Sequence, residues 1–166
     1  PWSKHFRMYQ YVAKELPELI ARAFPVNFVR FGITGHSMGG HGALSIAIKN
    51  PDRFKSVSAF SPIVAPAQVP WGHKAFGAYL GAEPTMWAEY DSCALMAARG
   101  WPRDILIDQG DADEFLATQL KPDLFAEACR KRNVALTLRL QQGYDHSYYF
   151  ISTFMAEHVR WHADRL

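Results

Sequence analysis

Cysteine is scarce in this 166-residue chain: Cys93 and Cys129 are the only two. They are far apart and in neither a CxxC nor a metal-ligand spacing, so no disulfide framework and no thiolate-bound metal is expected. Buried free thiols in a reducing compartment are the plain reading. An excess of one charge is missing too. Lys and Arg number 18 against 16 Asp and Glu, a net charge of +2. That is too small to argue for nucleic acid, and the densest basic cluster, Arg130-Lys131-Arg132, reads as a solvated helix end. No apolar run approaches the ~18 residues of a membrane-spanning helix. No charged, apolar and cleavage-site succession of a signal peptide is visible at the start. What remains is 49% hydrophobic and 20% charged, ordinary for a globular protein. The length suits one domain with a real core.

The most informative stretch is Gly35-His36-Ser37-Met38-Gly39-Gly40. By chance a G-x-S-x-G pattern turns up in about one chain in twenty of this size. Its context is what carries weight. Residues 28–34 lead in as a short apolar, β-branched strand, and 38–49 lead out with Leu44 and Ile48 at helical spacing. A sharp strand-to-helix turn of this kind holds a serine hydroxyl out at the top of a sheet, where a base can reach it. Small glycines ease such a turn. Ser37 is therefore the candidate nucleophile.

The rest alternates. Ser3 to Ala23 reads as a helix with an apolar stripe of Tyr9, Val12, Leu16, Leu19 and Ala23, and Pro17 predicts a kink or two abutting helices. Residues 56–60 form a second strand after the stop signal Asn50-Pro51-Asp52. An insert of about 62–103 follows, with half of the chain's ten prolines and the aromatics Trp71, Phe76, Tyr79, Trp87 and Trp101. Its length and composition predict short helices joined by turns near the Ser37 edge of the sheet. Strand 104–108 follows the insert. Next come helix 116–132, with Leu116, Leu120, Leu124 and Ala128 on one stripe, strand 135–140 and a closing helix 147–164. This order predicts an α/β fold, a parallel sheet with helices on both faces.

A serine needs a base, and the base needs a partner that fixes its tautomer. In α/β-hydrolases the chain order is Ser, then Asp or Glu, then His, each on a loop after a strand. His146, after the fourth strand, is the candidate base. Asp111, Asp113 and Glu114 share the loop after the third strand. Asp113 is the first choice for reach, Asp111 being able to brace the loop backbone instead. Asp145 is expected to order its own loop. His36 and His41 are expected to pack around the elbow. His158 and His162 have metal-ligand spacing but no third ligand nearby, so no metal is assigned.

Together these residues resemble the S-formylglutathione hydrolases, or esterase D, of the α/β-hydrolase fold. The likeness runs through Gly35–Leu44, Lys49-Asn50-Pro51, Ser56–Pro62, Gly143–Phe150 and the opening Trp2–Tyr9. It implies the C-terminal half of an α/β-hydrolase, with the family's upstream strands and second oxyanion loop lying before Trp2. It implies a triad of Ser37, Asp113 and His146 and an oxyanion donor at Met38. It implies hydrolysis of the S-formylglutathione thioester in the cytoplasm, with no metal or organic cofactor, often as a dimer. Trp71 and Lys74 are candidates for meeting the glutathione moiety, against the plainer reading of packing within the insert. A general carboxylesterase or acyltransferase, or a half-domain acting by association with a missing segment, are the other readings.

Overall fold

The structure, a computed structural model, describes residues 2–166. Four parallel strands form one sheet in chain order: β1 (Phe31–Ile33), β2 (Phe54–Phe60), β3 (Ile105–Gly110) and β4 (Leu136–Gln141). Parallel neighbours need long crossovers, and the crossovers here are helical. Helix α1 (Met8–Gln10), a π-type turn (Tyr11–Glu15) and α2 (Leu16–Ala23) precede the sheet. Then come α3 (Met38–Lys49), α4 (Pro70–Leu80), α5 (Ser92–Arg99), α6 (Pro122–Lys131) and the closing α7 (Tyr148–Ala163).

Side-chain alternation on β2 divides the two faces. Val57 and Ala59 enter the main core with Leu44 and Ala47 of α3, Leu95 and Met96 of α5, and Phe125 of α6. Ser56 and Ser58 point the other way, toward His158 and His162 of α7. Residues 62–103 hold α4, α5 and two 3₁₀ segments, Pro66–Gln68 and Pro84–Tyr90. Buried Asp91 ties them together. Its carboxylate caps α5 by accepting from the Ala94 N–H and also accepts from the Ala67 N–H.

Several local expectations are corrected. The helix expected from Ser3 begins at Met8, and a π-type segment, closed by the Leu16 N–H on the Tyr11 carbonyl, joins α1 to α2 ahead of Pro17. Pro17 then lies in the first turn of α2, where its missing N–H costs little. The expected stripe is not buried: Leu19 is 59% exposed, and Ala13 is the buried residue of this region. Strand β1 is three residues long rather than seven. The helix expected over 116–132 breaks at Lys121, which takes a left-handed conformation because Pro122 disfavours the right-handed one before it. The break shifts the phase, so Phe125 is buried and Leu124 is not.

A polar chain fastens α7 to the sheet. The Asp108 carboxylate on β3, wholly buried, accepts two hydrogen bonds from the Arg139 guanidinium of β4, both 2.6 Å. It also accepts from His158 Nε2 at 3.1 Å. From there the chain runs through Ser58 Oγ, 2.8 Å from His158 Nδ1, to His162, and on to Ser56. The Ser58 hydroxyl also donates to Thr34 Oγ1 at 2.8 Å, which extends the chain toward the end of β1. Burial pushes His162 down to about 4, in keeping with a neutral ring. Among the described residues, no helix is long and apolar enough to cross a membrane.

Two predictions follow from this packing. Asp108→Ala strands Arg139 and His158 and should cost about 3–5 kcal/mol in urea unfolding; a loss under 1 kcal/mol would show the network to be dispensable. Burial also pushes His41 down to about 4. An unfolded histidine takes up a proton near pH 6.5, while His41 and His162 in the fold do not until about pH 4. Their contribution to stability is therefore full above pH 6.5 and is lost as pH falls toward 4. The urea midpoint should drop between pH 7 and 4.5, and a flat profile would refute it.

Candidate active site

Ser37, Asp113 and His146 lie on the turns that follow the C-terminal ends of β1, β3 and β4, where parallel α/β sheets bind their ligands. After β1 the chain turns through Gly35–Ser37 into α3. A bridge between His36 and Phe60 stitches this turn to β2: the Phe60 N–H donates to the Gly35 carbonyl, and the Ser37 N–H donates to the Phe60 carbonyl, both at 2.9 Å. Ser37 has φ 57°, ψ −116°. A residue with a Cβ is strained there, and such strain gathers at functional sites. Of the glycines expected to ease the turn, Gly35 does so and Gly39 does not. A Cβ on Gly35 would come 2.2 Å from the Gly39 carbonyl oxygen, so Gly35 is required by close approach, whereas a Cβ on Gly39 meets nothing within 4 Å. Met38 opens α3, and its N–H has no partner among the described residues. It is one of the unpaired donors that every helix start leaves.

The acid and base loops are joined before their side chains meet. The Ala112 N–H donates to the Tyr144 carbonyl at 3.0 Å, and the Gly143 N–H donates to Asp111 Oδ1 at 2.6 Å. Asp111 thus braces the loop pair. Asp145 accepts from the Ser147 N–H and orders its own turn. Asp113 is the carboxylate that meets the ring: Oδ2 lies 2.6 Å from His146 Nδ1. Its other oxygen accepts from the Phe115 N–H at 2.9 Å. Burial works against the Asp113 charge, but the bonds from His146 and Phe115 outweigh it and hold its pKa below the ordinary value.

Two neighbours were not assigned from sequence. Gln109, fully buried, donates from Nε2 to Asp113 Oδ2 at 3.2 Å. It lies within β3 rather than on the loop, because the strand runs to Gly110. Phe115 sets its ring edge-on to His146, centroids 5.0 Å apart. His36 packs on the same imidazole at 4.4 Å, as expected of a residue around the elbow. Ser37 Oγ forms no hydrogen bond to His146 among the described residues, a link that often tightens only with substrate bound.

A cavity of about 440 Å³ opens beside His146, lined by Ala112, Glu114, Phe115, Asp145 and Ser147. A second, of about 500 Å³, lies at the opposite ends of the strands near Lys49, Trp101 and Arg132. Trp71 packs against Ile63, Val69 and Leu120, and its backbone N–H donates to Gln119 Oε1. Lys74 is exposed. No described contact brings either side chain to His146. His41 turns to Ser92 Oγ at 3.2 Å.

Residues 1–161 match the family model Esterase, described as "Putative esterase". The chain is 54% identical over its full length to an S-formylglutathione hydrolase of Paracoccus denitrificans (strain Pd 1222), covering 59% of that protein. It superposes on an S-formylglutathione hydrolase from Agrobacterium tumefaciens with a TM-score of 0.97, at 54% identity, over all of this chain and 60% of that one. An S-formylglutathione hydrolase (FrmB) from Staphylococcus aureus shares the fold, with a TM-score of 0.72 at 21% identity over 93% of this chain and 63% of that one. The chain thus spans about 60% of the length of the first two relatives.

The joined loops predict a sharp difference between two glycines. A Cβ at Gly110 would come 2.2 Å from the Tyr144 carbonyl oxygen, so Gly110→Ala should destabilise by ~2 kcal/mol or more. Gly42, inside α3 with open space around it, should gain ~0.5–1 kcal/mol as alanine. Urea unfolding of both variants checks this, and equal midpoints would refute it.

Proposed function

This chain belongs to the esterase family, and from that premise we propose that it carries the Ser-His-Asp machinery of an S-formylglutathione hydrolase. The observation that carries the reading is the 2.6 Å hydrogen bond between His146 Nδ1 and Asp113, beside a strained serine. Nδ1 bound to a carboxylate leaves Nε2 as the atom that takes the Ser37 proton. Ser37 Oγ attacks the thioester carbonyl while His146 accepts that proton. Asp113 keeps the tautomer and stabilises the imidazolium. The free Met38 N–H, at the positive end of α3, stabilises the oxyanion. The thiolate leaves and takes a proton from His146. A water activated by His146 then releases formate from the formyl-enzyme. The chemistry needs no metal or organic cofactor, and we place it in the cytoplasm as the family resemblance implies.

In this reading residues 62–103 are an insert within one domain, and they wall the thiol side of the site. The insert reaches the elbow directly: the Ile63 N–H donates to the Ser37 carbonyl at 3.3 Å, and Pro62 lies against Gly40. The close packing of Trp71 within the insert favours a structural role for that ring, with Lys74 the remaining candidate for a glutathione carboxylate.

A second reading rests on the other side of the molecule. Strand β1 has one sheet neighbour among the described residues, and in the segment that precedes it Leu19, Phe24, Val26, Phe28 and Val29 are exposed. A bare edge strand with apolar surroundings favours pairing with more strand. We propose that further strands of the same protein cover it, rather than a second copy forming a dimer. The relatives' extra length supplies a source for them.

Ser37→Ala should abolish both fluorophosphonate labelling and ester cleavage while leaving urea unfolding unchanged. Asp113→Asn should lower kcat by about 10⁴-fold, and Asp111→Asn by far less. Activity surviving in Ser37→Ala, or equal losses in the two Asn variants, would overturn the assignment. Preference for S-formylglutathione over short p-nitrophenyl esters separates the thioesterase from a general carboxylesterase.

A further inference from the structure

Three groups contact the His146 ring, only one of them by a hydrogen bond. Asp113 fixes Nδ1. The His36 ring lies 4.4 Å away, tilted 42°. The Phe115 ring lies 5.0 Å away at 77°. What His36 does there follows from what it lacks. Its Nε2 is buried without a hydrogen-bond partner, and no hydrogen bond to its Nδ1 occurs among the described residues. A half-buried imidazole with no bond to make is not kept in place for its polarity, since an orphaned buried nitrogen is a cost. What it offers is the ring itself.

We propose that His36 and Phe115 are positioning residues that clamp the His146 imidazole between them, holding its plane and shielding the Asp113 hydrogen bond from water. The inference rests on the serine-hydrolase reading for its effect on rate, but not for its effect on the hydrogen bond. Phe115 suits the task doubly. Its backbone N–H holds Asp113 while its ring holds His146, so both ends of the bond are fixed by one residue. His36 likewise adjoins Ser37, so a single dipeptide carries the nucleophile and one jaw of the clamp. The His36 ring stays neutral there. Burial lowers its pKa, the neighbouring His146 charge lowers it further, and Asp113 only partly opposes them. A neutral ring face beside an imidazolium does not repel it as a second cation would. The clamp matters because Asp113 alone leaves the ring free to swing about one hydrogen bond. A displacement of about 1 Å at a reacting atom can cost 10²-fold in rate.

The test reads both effects in the full protein, with His36→Ala, His36→Phe and Phe115→Ala. Phe115 is 40% exposed, so its truncation leaves the fold intact even should His36→Ala fail to fold. The first readout is the downfield proton resonance of the His146–Asp113 bond, observed without substrate. In both alanine variants it should broaden or vanish through exchange with water at least tenfold faster than in the parent. The second is the rate of fluorophosphonate labelling and the kcat for a short p-nitrophenyl ester. Both should fall about tenfold or more, with KM within about twofold, since the lost interaction acts on the reacting groups and not on substrate binding. His36→Phe, which keeps a ring and drops the orphaned nitrogen, should restore the resonance and most of the rate. An unchanged exchange rate in Phe115→Ala overturns the clamp, as does a His36→Phe variant no better than His36→Ala. A parent protein that does not label at all would instead sink the hydrolase reading, and the resonance would still decide the clamp.

Discussion

The carboxylate of Asp108 is the interaction on which the arrangement depends. It sits in the middle of the sheet with no solvent contact and accepts hydrogen bonds from Arg139, Gln141 and His158. Three elements meet at it: β3, β4 and α7. Those same elements lead into the acid loop, lead into the base loop, and follow the base. Burial opposes the Asp108 charge, yet its partners together hold its pKa below the ordinary value. Taking any one of them away leaves a charge or an imidazole in a place water cannot reach, which is why such networks tend to be all or nothing. The register of β3 against β4, with Asp108 opposite Arg139, is fixed by the same contact. A slip of one residue would turn Asp108 to the apolar face and carry the acid loop out of reach of the base loop.

From that fixed register the site follows by short-range geometry. Gly110 opposite Gln141 brings the two loops together, and Gly110 permits the close pass of the Tyr144 carbonyl. Asp113 and His146 then meet across 33 residues of sequence. The elbow is held independently, by the bridge from His36 to Phe60 at the end of β2. Strain at Ser37 is thus opposed by hydrogen bonds to the neighbouring strand and by the Gly39 N–H bond to the His36 carbonyl within the turn, 2.7 Å. The two halves of the site touch through rings, His36 on His146, before any reaction begins.

The face around β1 contrasts with this order. The main core is closed on the α3, α5 and α6 side, while the surface built by residues 6–29 keeps large apolar side chains in solvent. Of the expected helical stripe, Tyr9 and Leu19 are exposed while Val12 packs against the main core. Periodicity marks a face that wants burial, but it does not say what buries it. The chain spans about 60% of the length of its relatives, and β1, at the sheet edge, has one strand neighbour among the described residues.

Much of the site was legible because its signals are local. The glycine-serine turn between a strand and a helix, the order of alternating elements, and a histidine just past the last strand are each written within a few residues. One boundary misread from sequence has a local cause, a proline acting on its neighbour: Pro122 reset Lys121 and with it the phase of Leu124 and Phe125. Which carboxylate touches His146, that Gln109 turns its amide to Asp113, and that His158 serves the sheet were settled only in three dimensions. Each depends on strands meeting in one register and on which groups burial strips of water. The sequence by itself determined the turn, the candidate hydroxyl and the candidate base, because backbone geometry and side-chain type are encoded residue by residue. Tertiary structure decided their partners, because a hydrogen bond across dozens of residues exists only where packing has already excluded every competitor, water included.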